Sequence, residues 1–335
     1  LYNGNKRLKT IQQEKLNNQV AELDVATSEN NIQESIAQVY IQILYAAESV
    51  KVNESTLQVS IAQRDRGQEL LNAGSIAKSD FAQLEAQVST DRYQLVTAQA
   101  TLEDYKLQLK QLLELDGENE MNIYLPALSD ENVLAPLPTK KDVYISALSL
   151  RPEIEASKLN VEASELGIGI AKSSYLPTIS LSAGIGTNHT SGSDFTFGEQ
   201  VKNGWNNSIG LSVSVPIFNN RQTKSAVQKA KLQYETSMLS LLDEQKTLYK
   251  TIEGLWLDAN SAQQRYAAAN EKLKSTQISY ELISEQFNLG MKNTIELLTE
   301  KNNLLQAQQE QLQAKYMAIL NTQLLKFYQG DQLAI

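Results

Sequence analysis

A constant offset of 216 positions relates the second half of this 335-residue chain to the first. Asn219 falls on Asn3, Lys231 on Lys15, Leu232 on Leu16, Leu239 on Leu23 and Ile252 on Ile36. Further on, Ala262 falls on Ala46, Leu273 on Leu57, Asn288 on Asn72, Gly290 on Gly74, Ala314 on Ala98 and Leu325 on Leu109. Some 115 residues superpose without a gap, although most side chains have drifted. A repeat that accepts substitutions but no insertions constrains length and register, as long helical rods do.

Within the first copy, residues 3–72 carry apolar side chains at helical spacing and no proline. Ile36, Ile43, Val50 and Leu57 stand seven apart, with Tyr40, Ala47 and Ile61 on the companion stripe. Such a helix would run roughly 105 Å, a length that belongs to coiled coils or helical tubes. Its stripe includes small Ala47 and charged Glu54, which fits staves packed side by side around a space. The segment Asn72–Ala73–Gly74–Ser75 interrupts the pattern. Gly74 can take the left-handed conformation that stops a helix, and Ser75 or Ser79 is expected to cap the next one, 78–115.

In that second helix Phe81, Val88, Leu95, Leu102 and Leu109 fill one heptad position. Leu84, Ala98, Tyr105 and Leu112 fill the other, which predicts left-handed supercoiling. Copy two repeats the first set with Leu297, Leu304, Ala318 and Leu325, but puts Gln311 where Leu95 lies. Residues 116–150, marked by Asp116–Gly117, Pro126, Pro136 and Pro138, read as an irregular linker with a short helix at 139–149. Pro152 then opens a further helix over 152–173. The linker and this helix together restore most of the return that helix two leaves half finished.

After Pro177 the period becomes two. Ile179, Leu181, Ala183 and Ile185 alternate with Ser180, Ser182, Gly184 and Gly186. Beyond a polar loop (188–207), Ile209, Leu211, Val213 and Val215 alternate with Ser208, Gly210, Ser212 and Ser214, and Pro216 ends the run. These are two strands of 9–11 residues, apolar on one face and small-polar on the other. A soluble sheet gives the same alternation. Here the polar face lacks Lys, Arg, Asp and Glu, and the chain offers no second sheet to cover the apolar side. Lipid outside and a lumen inside satisfy both faces. Two strands cannot close a barrel, so closure would fall to several subunits.

Composition narrows the chemistry. A formal charge of -9 with mixed signs and no basic block argues against nucleic acid. With no Cys and one histidine, His189, in a loop, no nucleophile–base set can be built. No enzyme activity, cofactor or metal is expected. Tyr175 and Trp205 flank the strands, a position that suits either anchoring at membrane interfaces or packing against the strand edges.

The chain resembles the TolC-like outer-membrane factor family, the exit ducts of tripartite efflux pumps and type I secretion systems. The resemblance rests on Arg151–Pro152–Glu153–Ile154, on Ala171–Lys172–Ser173–Ser174–Tyr175–Leu176–Pro177, on Val215–Pro216–Ile217–Phe218–Asn219, and on the twin turns at Gly74 and Gly290. It implies a mainly α fold with a small membrane β part. In a homotrimer, long coiled helices would form a hollow α-barrel joined to a shared 12-stranded transmembrane β-barrel, with two strands per chain visible here. The corresponding divisions are a first helical hairpin (1–117), an equatorial linker region (118–151) and a returning helix (152–175). A transmembrane β-hairpin (176–216) and a second helical hairpin with a C-terminal equatorial end (217–335) follow. Leu1 then reads as the middle of a repeat, with an upstream segment of about 60–100 residues expected.

The same resemblance implies roles for the two helix-turn-helix tips, Asn72–Asp80 and Asn288–Glu296. Asn72, Gly74, Ser75, Asn288, Gly290 and Met291 would form the turns that dock a periplasmic adaptor protein. Glu296 matches a ring acid that focuses the field in a narrow aperture. A second ring acid of the family falls on Thr299, with Glu300 adjacent but pointing about 100° away on a helix. Links between closed tips would involve Ser79, Asp80, Phe287 and Lys292. Phe287 has no hydroxyl to donate, which leaves Lys292 to reach Asp80 or Ser79. Taken alone, these charges read equally well as solvated side chains beside a turn. The implied partners are the adaptor, an inner-membrane pump of the RND or ABC type, and outer-membrane lipid. The implied location is the outer membrane of a Gram-negative bacterium with a long periplasmic extension. Passive export of drugs or other small molecules is the first reading, protein secretion through the same duct the second, and a soluble coiled-coil scaffold the third.

Overall fold

The structure, a computed structural model, describes residues 1–115, 123–124, 126 and 133–333. In chain order it comprises β1 (Tyr2–Asn3), α1 (Lys6–Asn72), α2 (Lys78–Leu112), α3 (Lys140–Leu150), α4 (Pro152–Ser173), β2 (Thr178–Gly186), α5 (Phe197–Asn203), β3 (Asn206–Ser214), α6 (Gln222–Asn288) and α7 (Thr294–Gln329). The 216-residue offset is written into the backbone. Both long helices have 67 residues, and α1 shifted by 216 gives the bounds of α6. Left-handed residues repeat too: Gly4 and Asn5 match Asn220 and Arg221, Gly74 matches Gly290, and Glu114 matches Gly330. Of the irregular linker expected over 116–150, residues 116–122, 125 and 127–132 lie outside the described residues, and its short helix is α3.

Contacts divide the chain into two units, residues 1–27 with 152–246 and residues 28–151 with 247–335. In the first unit the start of α1 runs antiparallel to α4. Gln13 Nε2 donates to the Ala163 carbonyl at 2.7 Å, Lys9 Nζ to Gly169 at 3.4 Å, and Ser173 Oγ to the Gly4 carbonyl at 2.9 Å. β2 and β3 pair antiparallel over all nine residues. Ile179 faces Val213, Leu181 faces Leu211 and Ala183 faces Ile209; Ser180, Ser182 and Gly184 face Ser212, Gly210 and Ser208. Alternation therefore sorts apolar and small-polar pairs onto opposite faces. β1 pairs with the first two residues of β2. The polar loop holds one regular piece that the sequence reading missed, α5, whose Thr196–Glu199 capping box is a recognisable start signal.

In the second unit, α1 and α2 fold back on each other, as do α6 and α7. Ser279 Oγ donates to Glu300 at 3.2 Å, and Lys272 pairs with Glu310 at 2.7 Å. The two repeats are tied by Gln63 to the Tyr280 hydroxyl at 2.7 Å and by Ser49 to Gln309 at 3.1 Å. The core gathers around the C-terminal half of α7, where Ala314, Tyr316, Ala318, Ile319, Leu320 and Leu324 are buried with Ile41, Leu44, Val133, Ala262 and Tyr266. Arg151 closes this region, donating to Glu34 at 3.2 Å with its guanidinium 4.3 Å from the Tyr328 ring centre.

Candidate functional site at the two helical turns

The turns are built alike. The Gly74 N–H donates to the Leu71 carbonyl at 3.0 Å and the Ser75 N–H to Leu70 at 2.8 Å. Gly290 donates to Phe287 at 2.9 Å and Met291 to Gln286 at 2.8 Å. This paired pattern after a left-handed glycine satisfies the last carbonyls of each long helix. Asn72 and Asn288 are the final residues of those helices.

The starts of the return helices differ. The expectation that Ser75 or Ser79 caps α2 is corrected: Ala77 is the cap residue, because Ser75 stands two residues before it and Ser79 lies inside the first turn. With no side-chain oxygen on Ala77, only the reciprocal half of a capping box is made, Ala77 N–H to Asp80 Oδ2 at 3.4 Å. In the second turn the box is complete. Asn293 Oδ1 accepts from the Glu296 N–H at 2.9 Å, and Glu296 Oε2 accepts from the Asn293 N–H at 3.1 Å.

Glu296 also accepts from Lys292 Nζ at 2.5 Å through Oε1. That hydrogen bond first, and the Asn293 N–H second, hold its carboxyl below the usual range. Within the chain Lys292 thus pairs with Glu296, not with Asp80 or Ser79. Phe287 is buried inside its hairpin. Thr299 donates to the Ile295 carbonyl at 2.8 Å, and Glu300 is engaged by Ser279 on α6. The surfaces also differ: Leu289, Met291 and Ile295 stand exposed where the first turn has Ala73, Ser75 and Ser79.

The sequence reading missed a buried ionic cluster above the turns. Lys301 on α7 donates to Asp91 on α2 and to Ser60 on α1, and all three are at most 3% exposed. Asp91 fills the heptad slot between Leu84 and Ala98, and Lys301 lies between Leu297 and Leu304 on the apolar face. A charge in each core stripe was the available signal. Among the described residues no group of three or more acidic, His or Cys side chains could hold a metal ion, and no helix is long and apolar enough to cross a membrane.

Comparison with known proteins adds relatives. Residues 143–330 match the outer membrane efflux protein family. The chain is 24% identical over 294 residues to the outer membrane efflux protein BepC of Brucella suis, covering 87% of this chain and 61% of that protein. It is 23% identical over 311 residues to the outer membrane protein TolC of Escherichia coli, covering 90% and 62%. The chain thus spans about three fifths of these relatives' length. Among solved structures, a CusC channel superposes with a TM-score of 0.84 at 18% identity, over 98% of this chain and 75% of that one.

Proposed function

Since this chain belongs to the outer membrane efflux protein family, we propose that it forms, as a homotrimer, the exit duct of a tripartite efflux pump in the outer membrane of a Gram-negative bacterium. One observation carries the reading. In the β2–β3 hairpin nearly every residue on both faces is exposed, including Leu181, Ile185, Ile209, Leu211 and Val213. An isolated hairpin of this kind is at best marginally stable in water. Lipid against the apolar face, a lumen against the serines and glycines, and neighbouring strands along the edges meet all its needs. A 12-stranded barrel shared by three chains is the closure proposed.

The duct conducts drugs or other small molecules passively and performs no bond chemistry. Energy comes from an inner-membrane pump of the RND or ABC type, recruited through a periplasmic adaptor. The adaptor docks at the turns around Gly74 and Gly290, where exposed Leu289 and Met291 offer apolar contact beside the Lys292–Glu296 pair. Glu296 lines the aperture there. Purification in detergent followed by particle imaging and planar-bilayer recording tests this reading. A threefold particle with an open axis and discrete conductance steps is expected. A water-soluble monomer with a solid centre would overturn it.

A further inference from the structure

We propose that Ser60, Asp91 and Lys301 form a register clasp, holding α7 at one height against α1 and α2 and so fixing the second turn relative to the first. The cluster is complete within the described residues. Ser60 Oγ donates to Asp91 Oδ2, Lys301 Nζ reaches both, and Gln87 Nε2 donates to Asp91 Oδ1 at 2.9 Å. Lys301 lies seven residues after Thr294, the first residue of α7, about two helical turns from the start of that helix.

Two observations separate the clasp from ordinary packing. First, the repeat does not contain it twice. Asp91 corresponds to buried Ala307 and Lys301 to exposed Glu85, while Thr276, the counterpart of Ser60, spends its hydroxyl on the Lys272 and Leu273 carbonyls. The charges occur only where the first repeat meets the second. Second, a buried ion pair adds little net stability over apolar side chains of similar size, yet it penalises every arrangement that separates the charges. Sliding α7 by one turn, ~5.4 Å, would leave Asp91 and Lys301 buried and unpaired. An apolar interface slides more freely, which is why single buried polar residues set register in coiled coils. Burial pulls the Lys301 amine below its usual value, and the Asp91 hydrogen bond opposes this.

The consequence for conduction rests on the duct reading, so the test keeps the two apart. The chain has no cysteine, and spin labels at Ser75→Cys and Met291→Cys report the spacing of the turns directly. In the full trimer, Asp91→Leu/Lys301→Met is expected to keep the parent melting temperature, broaden the label distances and raise conductance several-fold. Asp91→Asn/Lys301→Gln, which keeps volume and hydrogen bonding, should give a smaller broadening and serves if the apolar pair does not assemble. Parent-like distances in an assembled double variant would reduce the cluster to a replaceable core filler. A parent trimer that conducts no ions would sink the duct reading, while the label distances still judge the clasp.

Discussion

Gly74 and Gly290 share a φ of +72° at positions 216 apart, and a Cβ added to either would meet nothing within 4 Å. Space is available; the backbone conformation alone calls for glycine. Gly74→Ala and Gly290→Ala should each destabilise the hairpin by about 1–2 kcal/mol through left-handed strain. Asn at the same positions should cost less, because its short polar side chain tolerates that region. Melting of the detergent-solubilised protein measures the series. Equal losses for Ala and Asn would show that something other than φ is at stake.

The Lys292–Glu296 pair makes a prediction with a definite sign. Because the Glu296 carboxyl is held below its ordinary value of 4.5, the ionised pair should persist below pH 4.5 and fail only as pH falls through the lowered value. Cation preference in bilayer recordings should follow that course. Lys292→Met should move the midpoint up toward the ordinary carboxylate range. Glu296→Gln should abolish the preference at neutral pH and leave assembly intact. Selectivity that ignores both substitutions would remove Glu296 from the aperture.

The parts legible in the sequence were those fixed by periodicity. A rigid offset announced two equal hairpins, seven-residue spacing marked the α2 stripe that holds Leu84, Val88 and Leu109 buried, and two-residue spacing gave the strands their register. What escaped depends on contacts between residues far apart in sequence. Asp91 and Lys301 each stand as a charge in a core stripe, but their pairing emerges only when α2 and α7 are laid side by side, 210 positions apart. The same holds for Arg151, read as part of a motif but seated on Tyr328 and Glu34. Ala77 escaped because a cap residue without a polar side chain leaves no mark in the sequence.

Arg151 joins three segments of the second unit, and its two interactions can be separated. Arg151→Ala would leave Glu34, 19% exposed in its side chain, without that guanidinium and cost on the order of 3 kcal/mol. Arg151→Lys keeps the charge but loses the planar stack over Tyr328 and Phe327, for about 1 kcal/mol. A lysine variant as unstable as the alanine variant would place the main contribution in the aromatic stack.

Gly67 tests the packing of the first hairpin. It is buried in α1, and an added Cβ would lie 2.3 Å from Cδ1 of Leu84, itself 1% exposed. Copy two solves the same crossing differently, with Ile283 and Glu300 at the corresponding positions, so the glycine answers the leucine opposite and not the repeat as such. Gly67→Ala should therefore cost about 1–3 kcal/mol by overpacking. Leu84→Val alone, which removes the obstructing carbon, should cost about 1 kcal/mol through the space it leaves. Combined, the two should cost clearly less than their sum, because each relieves the fault of the other. Strictly additive losses in thermal melting would mean that α1 and α2 do not meet at this pair.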